Sequence, residues 1–572
     1  MSGPWPQTYA PMHGAALSTL VAALPVVVLL GSIAALRMRA HLAALLGLAT
    51  ALAVAVGALH MPVGLAARAS ILGAAYGLLP IGWIIVNVIF LYQLTLDRGL
   101  FDVLRQSLGR VTADTRLQLV LVAFCFGSFF EGAAGFGTPV AITGAILVGL
   151  GFPPLEASGL SLIANTAPVA YGALGTPLIA LAGVTALPLG ALSAMVGRQL
   201  PFFSVLIPFW LMCAYTGLRR ALAVWPALLV AGVSFAVPQW LIANYHGPWL
   251  VDVGAAVISI ASLVLFLRVW QPADAIPRGA GAPRADVLRS ELVQGEVATH
   301  AAAAPGVVGA GDGPASAGRR TVVRAWMPWA ILSVIVFVWG LPPVKSALDH
   351  ISRPVITVGG LDRLVLRVPP VVPTPTAERA TFVLNWLSAT GTGILVAALI
   401  AALALGCRPR EIARTYARTV VTVRLSLVTI AAMLALGFLT RYAGLDAILG
   451  LAFARTGVWY PFFGTLLGWL GVALTGSDTA SNVLFGGLQR ITAQQVGVSP
   501  TLMAAANSSG GVMGKMIDMQ SIVVASTTTR WYGHEWQILR FVFVHSLALA
   551  ALVGGLVTLE AYVAPFTGLV PH

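Results

Sequence analysis

Two short stretches of this chain hold the residues that could do chemistry at membrane depth. In the first, Glu131 is followed by Gly132, Gly135, Gly137, Thr138 and Pro139, between apolar runs at 117–130 and 140–151. In the second, Thr475, Gly476, Ser477, Asp478, Thr479, Ser481 and Asn482 follow the apolar run 462–474. A carboxylate among helix breakers is costly in hydrocarbon. Such irregular backbone survives only where protein or a water-filled cavity covers it. Each stretch has a polar companion further along. Asn165, Thr166, Pro168 and Tyr171 follow the first; Asn507, Ser508, Ser509, Gly510, Gly511, Lys515 and Asp518 follow the second.

The chemistry these residues suit is the binding of a small anion together with a cation. Pro168 lacks a backbone N–H and breaks a helix ladder, and the glycines let the chain bend. Helix ends would then point at a cavity near the bilayer midplane, where N-terminal N–H groups and their partial positive charge suit a carboxylate. The candidate substrate contacts are Gly135, Gly137, Thr138, Asn165, Thr166 and Tyr171 on one side. On the other they are Ser477, Thr479, Asn482, Asn507, Ser508 and Lys515. Asp478 and Glu131 can alternate between charged and neutral forms when desolvated, which makes them proton-coupling candidates. Asp518 joins them as a third. It stands three residues from Lys515, on the same helix face, where the two can pair. Plainer readings stand beside these. Gly and Ala also serve close helix packing, 475–482 could be an exposed loop, and Lys515 with Asp518 could be a neutralised structural pair. Glu156, after Pro153 and Pro154, reads as a helix cap, Arg198 as a snorkelling interfacial cation, and His545 as a packing residue.

The elements that position these residues are membrane helices. Of 572 residues, 58% are hydrophobic and 9% charged, against about 25% charged in soluble domains. Long continuous apolar runs such as 16–36 and 253–267 favour helices over the alternating strands of a barrel. Trp240 and Trp249 bracket a short loop as interfacial aromatics do. The net charge of +13 is carried almost wholly by arginine. It reads as positive cytoplasmic loops rather than nucleic-acid binding, because no basic cluster interleaves with aromatics. Cys125, Cys213 and Cys407 are scattered without metal spacing, so neither a metal site nor a cofactor is expected. No basic side chain precedes the first apolar run, which is read as a retained span rather than a cleaved signal.

The expected spans are 16–36, 42–59, 71–94, 117–152 (interrupted), 154–187 (interrupted), 190–217, 221–243, 249–268, 325–342, 381–406, 425–442, 458–496 (interrupted), 499–529 (interrupted) and 538–562. The hydrophilic segment 270–324 reads as a cytoplasmic linker. It divides an N-terminal half, 1–269, from a C-terminal half, 325–572. Arginines at 37, 39, 98, 105, 110, 116, 219, 220, 408, 410, 414, 418 and 530 can all face the cytoplasm together. The condition is that 117–152 and 458–496 are re-entrant hairpins. Both termini then lie in the periplasm. The loop 343–380 does too, although it carries Lys345 and several arginines, and so do Arg68, Arg441 and Arg455. The Pro-rich stretch 369–375 suggests an ordered cap there. One hairpin enters from inside and the other from outside, the logic of an inverted repeat. A sequence echo supports it. Gly135 to Thr138 is answered by Gly476 to Thr479, and Asn165 with Gly172 by Asn507 with Gly514 at the same spacing. The fold class is therefore an all-α polytopic membrane protein with about 12 transmembrane helices plus two re-entrant hairpins in inverted repeats.

The run from Gly127 to Val140, followed by Asn165 to Gly172, closely resembles the bacterial L-lactate permease family. Thr475 to Asn482 and Asn507 to Gly511 fit the same family, and the likeness covers nearly the whole chain. The resemblance implies proton-coupled uptake of L-lactate, with D-lactate and glycolate, across the bacterial inner membrane. It also implies kinship with a wider ion-transporter superfamily built on two re-entrant hairpins and two broken helices. The partners would be a monocarboxylate, protons and the lipid bilayer; a homodimer stays open. A sodium-coupled carboxylate carrier is the alternative within the class. An intramembrane enzyme is the alternative outside it, but the serines near the breaks have no evident His partner. A sensor or scaffold would not need two matched interruptions.

Overall fold

The computed structural model describes residues 4–12, 14–34, 36, 38–100, 103, 111–133, 135, 138–272, 274, 319–531 and 534–571. Hydrocarbon offers no hydrogen bonds, so apolar sequence crosses it as helix, with each peptide group paired inside its own segment. Ten helices among the described residues are long and apolar enough to cross a membrane. Shorter apolar helices accompany them at His41–Gly57, Pro139–Gly149, Gly172–Thr185 and Thr390–Ala404. The chain is thus an all-α polytopic membrane protein.

Both interrupted spans of the N-terminal half divide where their breakers lie. Segment 117–152 folds as helices Thr115–Ala133 and Thr138–Gly149, which pack on each other. Segment 154–187 folds as Pro154–Ala164 and Gly172–Thr185. Residues 165–171 between them are turns, and Ala173, Leu174 and Gly175 all have positive φ. Left-handed backbone at Ala and Leu is strained and persists only where packing enforces it. The C-terminal half repeats the plan. Tyr460–Thr475 and Asp478–Val496 meet at Gly476, φ 73°, and Pro500–Gly514 and Met519–Thr528 flank a break at 515–518.

The two halves interleave rather than sit apart. Pro409–Ala443 packs on Val63–Tyr76 and Ala40–Gly57, and Gly172–Thr185 packs on Asp478–Val496. Glycine permits the closest approaches: a Cβ at Gly73 would lie 2.3 Å from the Leu434 carbonyl oxygen.

Three expectations are revised. The arginine-bearing stretch after Arg408 is not a loop but the first half of a 35-residue helix, Pro409–Ala443. At about 1.5 Å per residue this helix exceeds a hydrocarbon core of about 30 Å, so its charged end can stay helical beyond the lipid. Glu411 on it pairs with Arg98 at 2.8 Å, and Arg418 pairs with Asp97. The third span begins earlier than expected, at Val63. The helix after the linker begins at Arg319, within the segment read as linker, most of which lies outside the described residues.

Segment 342–383 folds as helix Pro342–Ser352 and short strands at Val355–Thr357, Val365–Arg367, Thr376–Ala377 and Thr381–Val383. Trp5–Pro6 pairs in parallel with Val365–Leu366, which ties the N-terminal strand to this cap. Beneath it Glu378 sits between Arg367 and Arg441, the latter at 2.9 Å. The arginine that strained the charge-based orientation is therefore neutralised by a carboxylate. Burial alone would raise the Glu378 carboxyl, but the adjacent Arg441 and Arg367 outweigh it and hold it below the usual carboxylate range. A carboxyl lowered on folding stabilises above its unfolded pKa, and that contribution fades as pH falls through the lowered value. Glu378→Gln should therefore cost about 3–5 kcal/mol at pH 7 by stranding two guanidinium groups. Thermal unfolding in detergent should show the gap to wild type narrowing only under acid conditions.

Candidate functional site

The breaks of both halves converge on one cavity of about 150 Å³. Its polar wall is built by Glu131, Gly135, Thr176, Thr475, Gly476, Ser477, Asp478, Thr479, Lys515, Gln520 and Ser521. Its apolar wall comes from Leu29, Ile81, Ile85, Ile430, Met433 and Leu434, with Ser426 and Thr429 among them. Asp478–Val496 and Met519–Thr528 present their first turns to this space, so two positive helix ends face it, and the left-handed turn that opens Gly172–Thr185 lines it beside them.

Asp478 opens its helix next to the cap residue Ser477, whose hydroxyl accepts from the Ala480 N–H. Its Oδ2 accepts from Ser508 Oγ at 2.5 Å and from Asn482 Nδ2 at 3.1 Å. Its Oδ1 is buried without a hydrogen-bond partner and faces Gly511, where a Cβ would lie 2.4 Å away. Asn482 reaches across the halves, its Nδ2 donating to the Pro177 carbonyl at 3.3 Å and its Oδ1 accepting from Asn507 Nδ2 at 2.9 Å. Asn507 Oδ1 accepts from Gln489, which donates to the Gly464 carbonyl and accepts from the Tyr460 hydroxyl. Apart from Asp478 Oδ1, the side-chain amides and carboxyl of this network are thus matched within protein.

Glu131 approaches from the other half. Its Oε2 accepts from Asn165 Nδ2 at 3.1 Å, and its Oε1 would lie 2.7 Å from a Cβ at Gly172. Lys515 donates to the Gly476 carbonyl at 2.6 Å and pairs with Asp518 at 3.2 Å. Asp518 Oδ1 caps the next helix by accepting from the Ser521 N–H. The Lys515 ammonium acts electrostatically on both Glu131 and Asp478. Lys515, Glu131 and Asp478 all line the cavity.

Of the residues singled out from sequence, Glu131, Gly135, Ser477, Asp478, Thr479 and Lys515 line the cavity. Asn165, Asn482, Asn507 and Ser508 stand behind them in the hydrogen bonds given above, and Asp518 pairs with Lys515. Thr166 donates to the Ile163 carbonyl, and Tyr171 donates to the Ser193 carbonyl at 2.9 Å, so each hydroxyl is engaged by a backbone carbonyl. Gly137 lies outside the described residues, and Thr138 opens helix Thr138–Gly149. Sequence reasoning missed Thr176, Gln520, Ser521, Ser426 and Thr429. Gln520 and Ser521 directly follow Asp518, a signal that was available. Ser426 and Thr429 stand one helical turn apart in an apolar stretch, a weaker one. Away from the cavity, Arg198 donates to Asn244 and to the Leu569 carbonyl, and His545 accepts from Trp210 Nε1. No cluster of metal-ligating side chains occurs among the described residues.

Residues 18–564 match the L-lactate permease family. This chain belongs to that family. It is 45% identical to the Escherichia coli glycolate permease GlcA, with 99% of each chain covered. It is 43% identical to the Bacillus subtilis L-lactate permease and 42% identical to that of Salmonella typhimurium; 99% of this chain and 100% of each relative are covered. Among solved structures, the Alcanivorax borkumensis YdaH transporter aligns over 81% of this chain and 88% of its own, at 15% identity and a TM-score of 0.30, too low to carry an argument. A permease moves solute across a membrane, so this family member is a transporter and not an enzyme.

The tight fit around Asp478 yields a direct test. Gly511→Ala would push a methyl group against Oδ1 and against Val472. Uptake should fall roughly tenfold or more while folded protein is still recovered, as overpacking displaces the carboxyl. Near-normal uptake would mean that the position of Asp478 does not matter to transport.

Proposed function

We propose that this permease imports small 2-hydroxymonocarboxylates, L-lactate, D-lactate and glycolate, together with protons across the bacterial inner membrane. One observation carries the reading. A single cavity is lined by Lys515, Glu131 and Asp478, so it offers a cation for an anionic substrate and two carboxyls for a proton. The substrate carboxylate would take the helix ends and Lys515, and Ser477 and Thr479 would offer hydroxyls to the 2-hydroxyl. The apolar wall leaves room for a hydrogen or a methyl group, the difference between glycolate and lactate. The names of the relatives, a glycolate permease and L-lactate permeases, support the same substrate class.

Asp478 offers one place for the coupled proton. Its Oδ2 already accepts two hydrogen bonds, whereas Oδ1 has none, so a proton on Oδ1 breaks no existing bond. With the proton aboard, substrate and carboxyl together carry one negative charge fewer through the low-dielectric middle of the bilayer.

The membrane arrangement that fits this reading has twelve spanning segments and two re-entrant hairpins, Thr115–Gly149 from the cytoplasm and Tyr460–Val496 from the periplasm. Both termini and the cap 342–383 lie outside. The pairing of Trp5–Pro6 with the cap supports one side for both. Alternating access would come from movement of the hairpins and broken helices against the long helices Val63–Asp97 and Pro409–Ala443.

Purified protein in liposomes, given an inward pH gradient and labelled L-lactate or glycolate, should accumulate substrate without added sodium. No accumulation under the gradient, or accumulation only with sodium, would overturn the reading. Asp478→Asn should abolish gradient-driven accumulation; normal coupled uptake would remove Asp478 as the proton site.

A further inference from the structure

A second buried carboxyl lies behind the first hairpin and lines neither cavity. Asp252 is the second residue of helix Val251–Val269, which packs on the tip segment Gly127–Ala133. The contact is close, since a Cβ at Gly132 would lie 2.7 Å from Asp252 Cβ and 3.0 Å from the Val253 nitrogen. Asp252 is 2% exposed, and neither of its carboxyl oxygens has a hydrogen-bond partner. A structural aspartate at a helix start would use its oxygens to cap the first turn. This one does not, and an ion left bare in this way is expensive to bury.

Its charged and titratable surroundings are few. Glu131, next in chain to Gly132, acts on it from the hairpin tip. Asp252 in turn acts on Tyr171, whose hydroxyl is engaged with the Ser193 carbonyl. Cys125 on the same hairpin bonds to Ser259, further down the helix of Asp252. Helix Trp225–Tyr245, which packs alongside, ends at Tyr245 and is followed by His246. Lys515 and Asp518 reach Glu131 from the far side of the substrate cavity. Toward the loop, a second cavity of about 250 Å³ is lined by Asn244, His246, Pro248, Trp249 and Lys345. Lys345 lies over the Trp249 ring, three residues before Asp252.

We infer that Asp252 and Glu131 act as a carboxyl pair that holds the coupled proton, Asp252 receiving it from the loop-side cavity and Glu131 presenting it to the substrate cavity. Glu131 acts electrostatically on Asp252 beside the Gly132 contact, and like charges so placed resist ionising together, so one proton serves both groups. The step is a proton transfer only. An O–H bond forms on Asp252 as a proton leaves external water and breaks as Glu131 takes the proton, which passes within the substrate cavity to Asp478 and finally departs to internal water. Asp252 is thus a coupling residue that touches no substrate. This inference rests on the proton-coupled reading above and adds the route by which the proton arrives.

The test is Asp252→Asn in proteoliposomes, read two ways. The amide is isosteric and forfeits no hydrogen bond, so the variant should fold. Accumulation driven by a pH gradient should drop to the equilibrium level, while exchange of labelled for unlabelled substrate, which needs no net proton movement, stays within a few-fold of wild type. Wild-type accumulation in the variant would overturn the inference, and so would loss of exchange along with accumulation in folded protein. If wild type itself fails to accumulate substrate under the gradient, the functional reading falls first, and that outcome is seen without the variant. A second measurement needs no substitution. Dicyclohexylcarbodiimide, which adds to protonated carboxyls in apolar surroundings, should label the wild-type peptide containing Asp252, and less so as pH rises. Absence of label there at every pH would overturn the assignment.

Discussion

At the centre of this permease Asn482 donates to Asp478 and to the Pro177 carbonyl, and accepts from Asn507. Those contacts join Asp478–Val496, Pro500–Gly514 and Gly172–Thr185. The broken segments need such partners. Interrupting a helix in hydrocarbon exposes peptide groups that water cannot reach, so every interruption must find its hydrogen bonds inside the protein. Asn suits the task because one side chain both donates and accepts. The cavity exists because these bonds hold four interrupted segments open around it.

Close approach is the second requirement. Gly468 sets its backbone where any Cβ would strike the Asn507 carbonyl, at 2.1 Å, and Gly510 does the same against Thr465 at 2.3 Å. Hydrophobic association contributes little between helices already in lipid, so contact between them depends on packing and on hydrogen bonds. The glycines of 507–514 therefore let Tyr460–Thr475 and Pro500–Gly514 touch along their length. Asp478 is held against that seam. Two donors meet one oxygen of its buried carboxyl, and the other oxygen has no hydrogen-bond partner.

The cap 342–383 applies the same logic with full charges. Arg367, Glu378 and Arg441 form a buried cluster that fastens the end of the longest helix to the cap strands. Arg116 does this at the other end of the fold, fully buried yet paired with Asp114 and Asp274. Arginine suits such places because its planar fork can meet several oxygens at once. The first cluster anchors the long helix Pro409–Ala443, and the second anchors the start of the broken segment at Thr115.

The sequence alone determined the membrane class, the interrupted segments and the identity of the polar residues at the breaks. Breakers and ionisable groups within apolar runs have few physical explanations. Glu131, Asp478 and Lys515 were legible for that reason. Asp252 was not, because a single acid at the head of an apolar run looks like a residue at a surface. The arginine-rich start of Pro409–Ala443 was misread as a loop because charge patterning reports polarity and not helix length. Which polar residues line the cavity and which stand behind it was decided only in the tertiary structure. Tyr171 and Asn165 sit in the same break, yet one bonds a distant backbone carbonyl and the other holds Glu131. That choice depends on which elements fold against the break, Ser193 standing 22 residues from Tyr171 and Glu131 34 residues from Asn165, and the pattern within the break does not encode where they arrive.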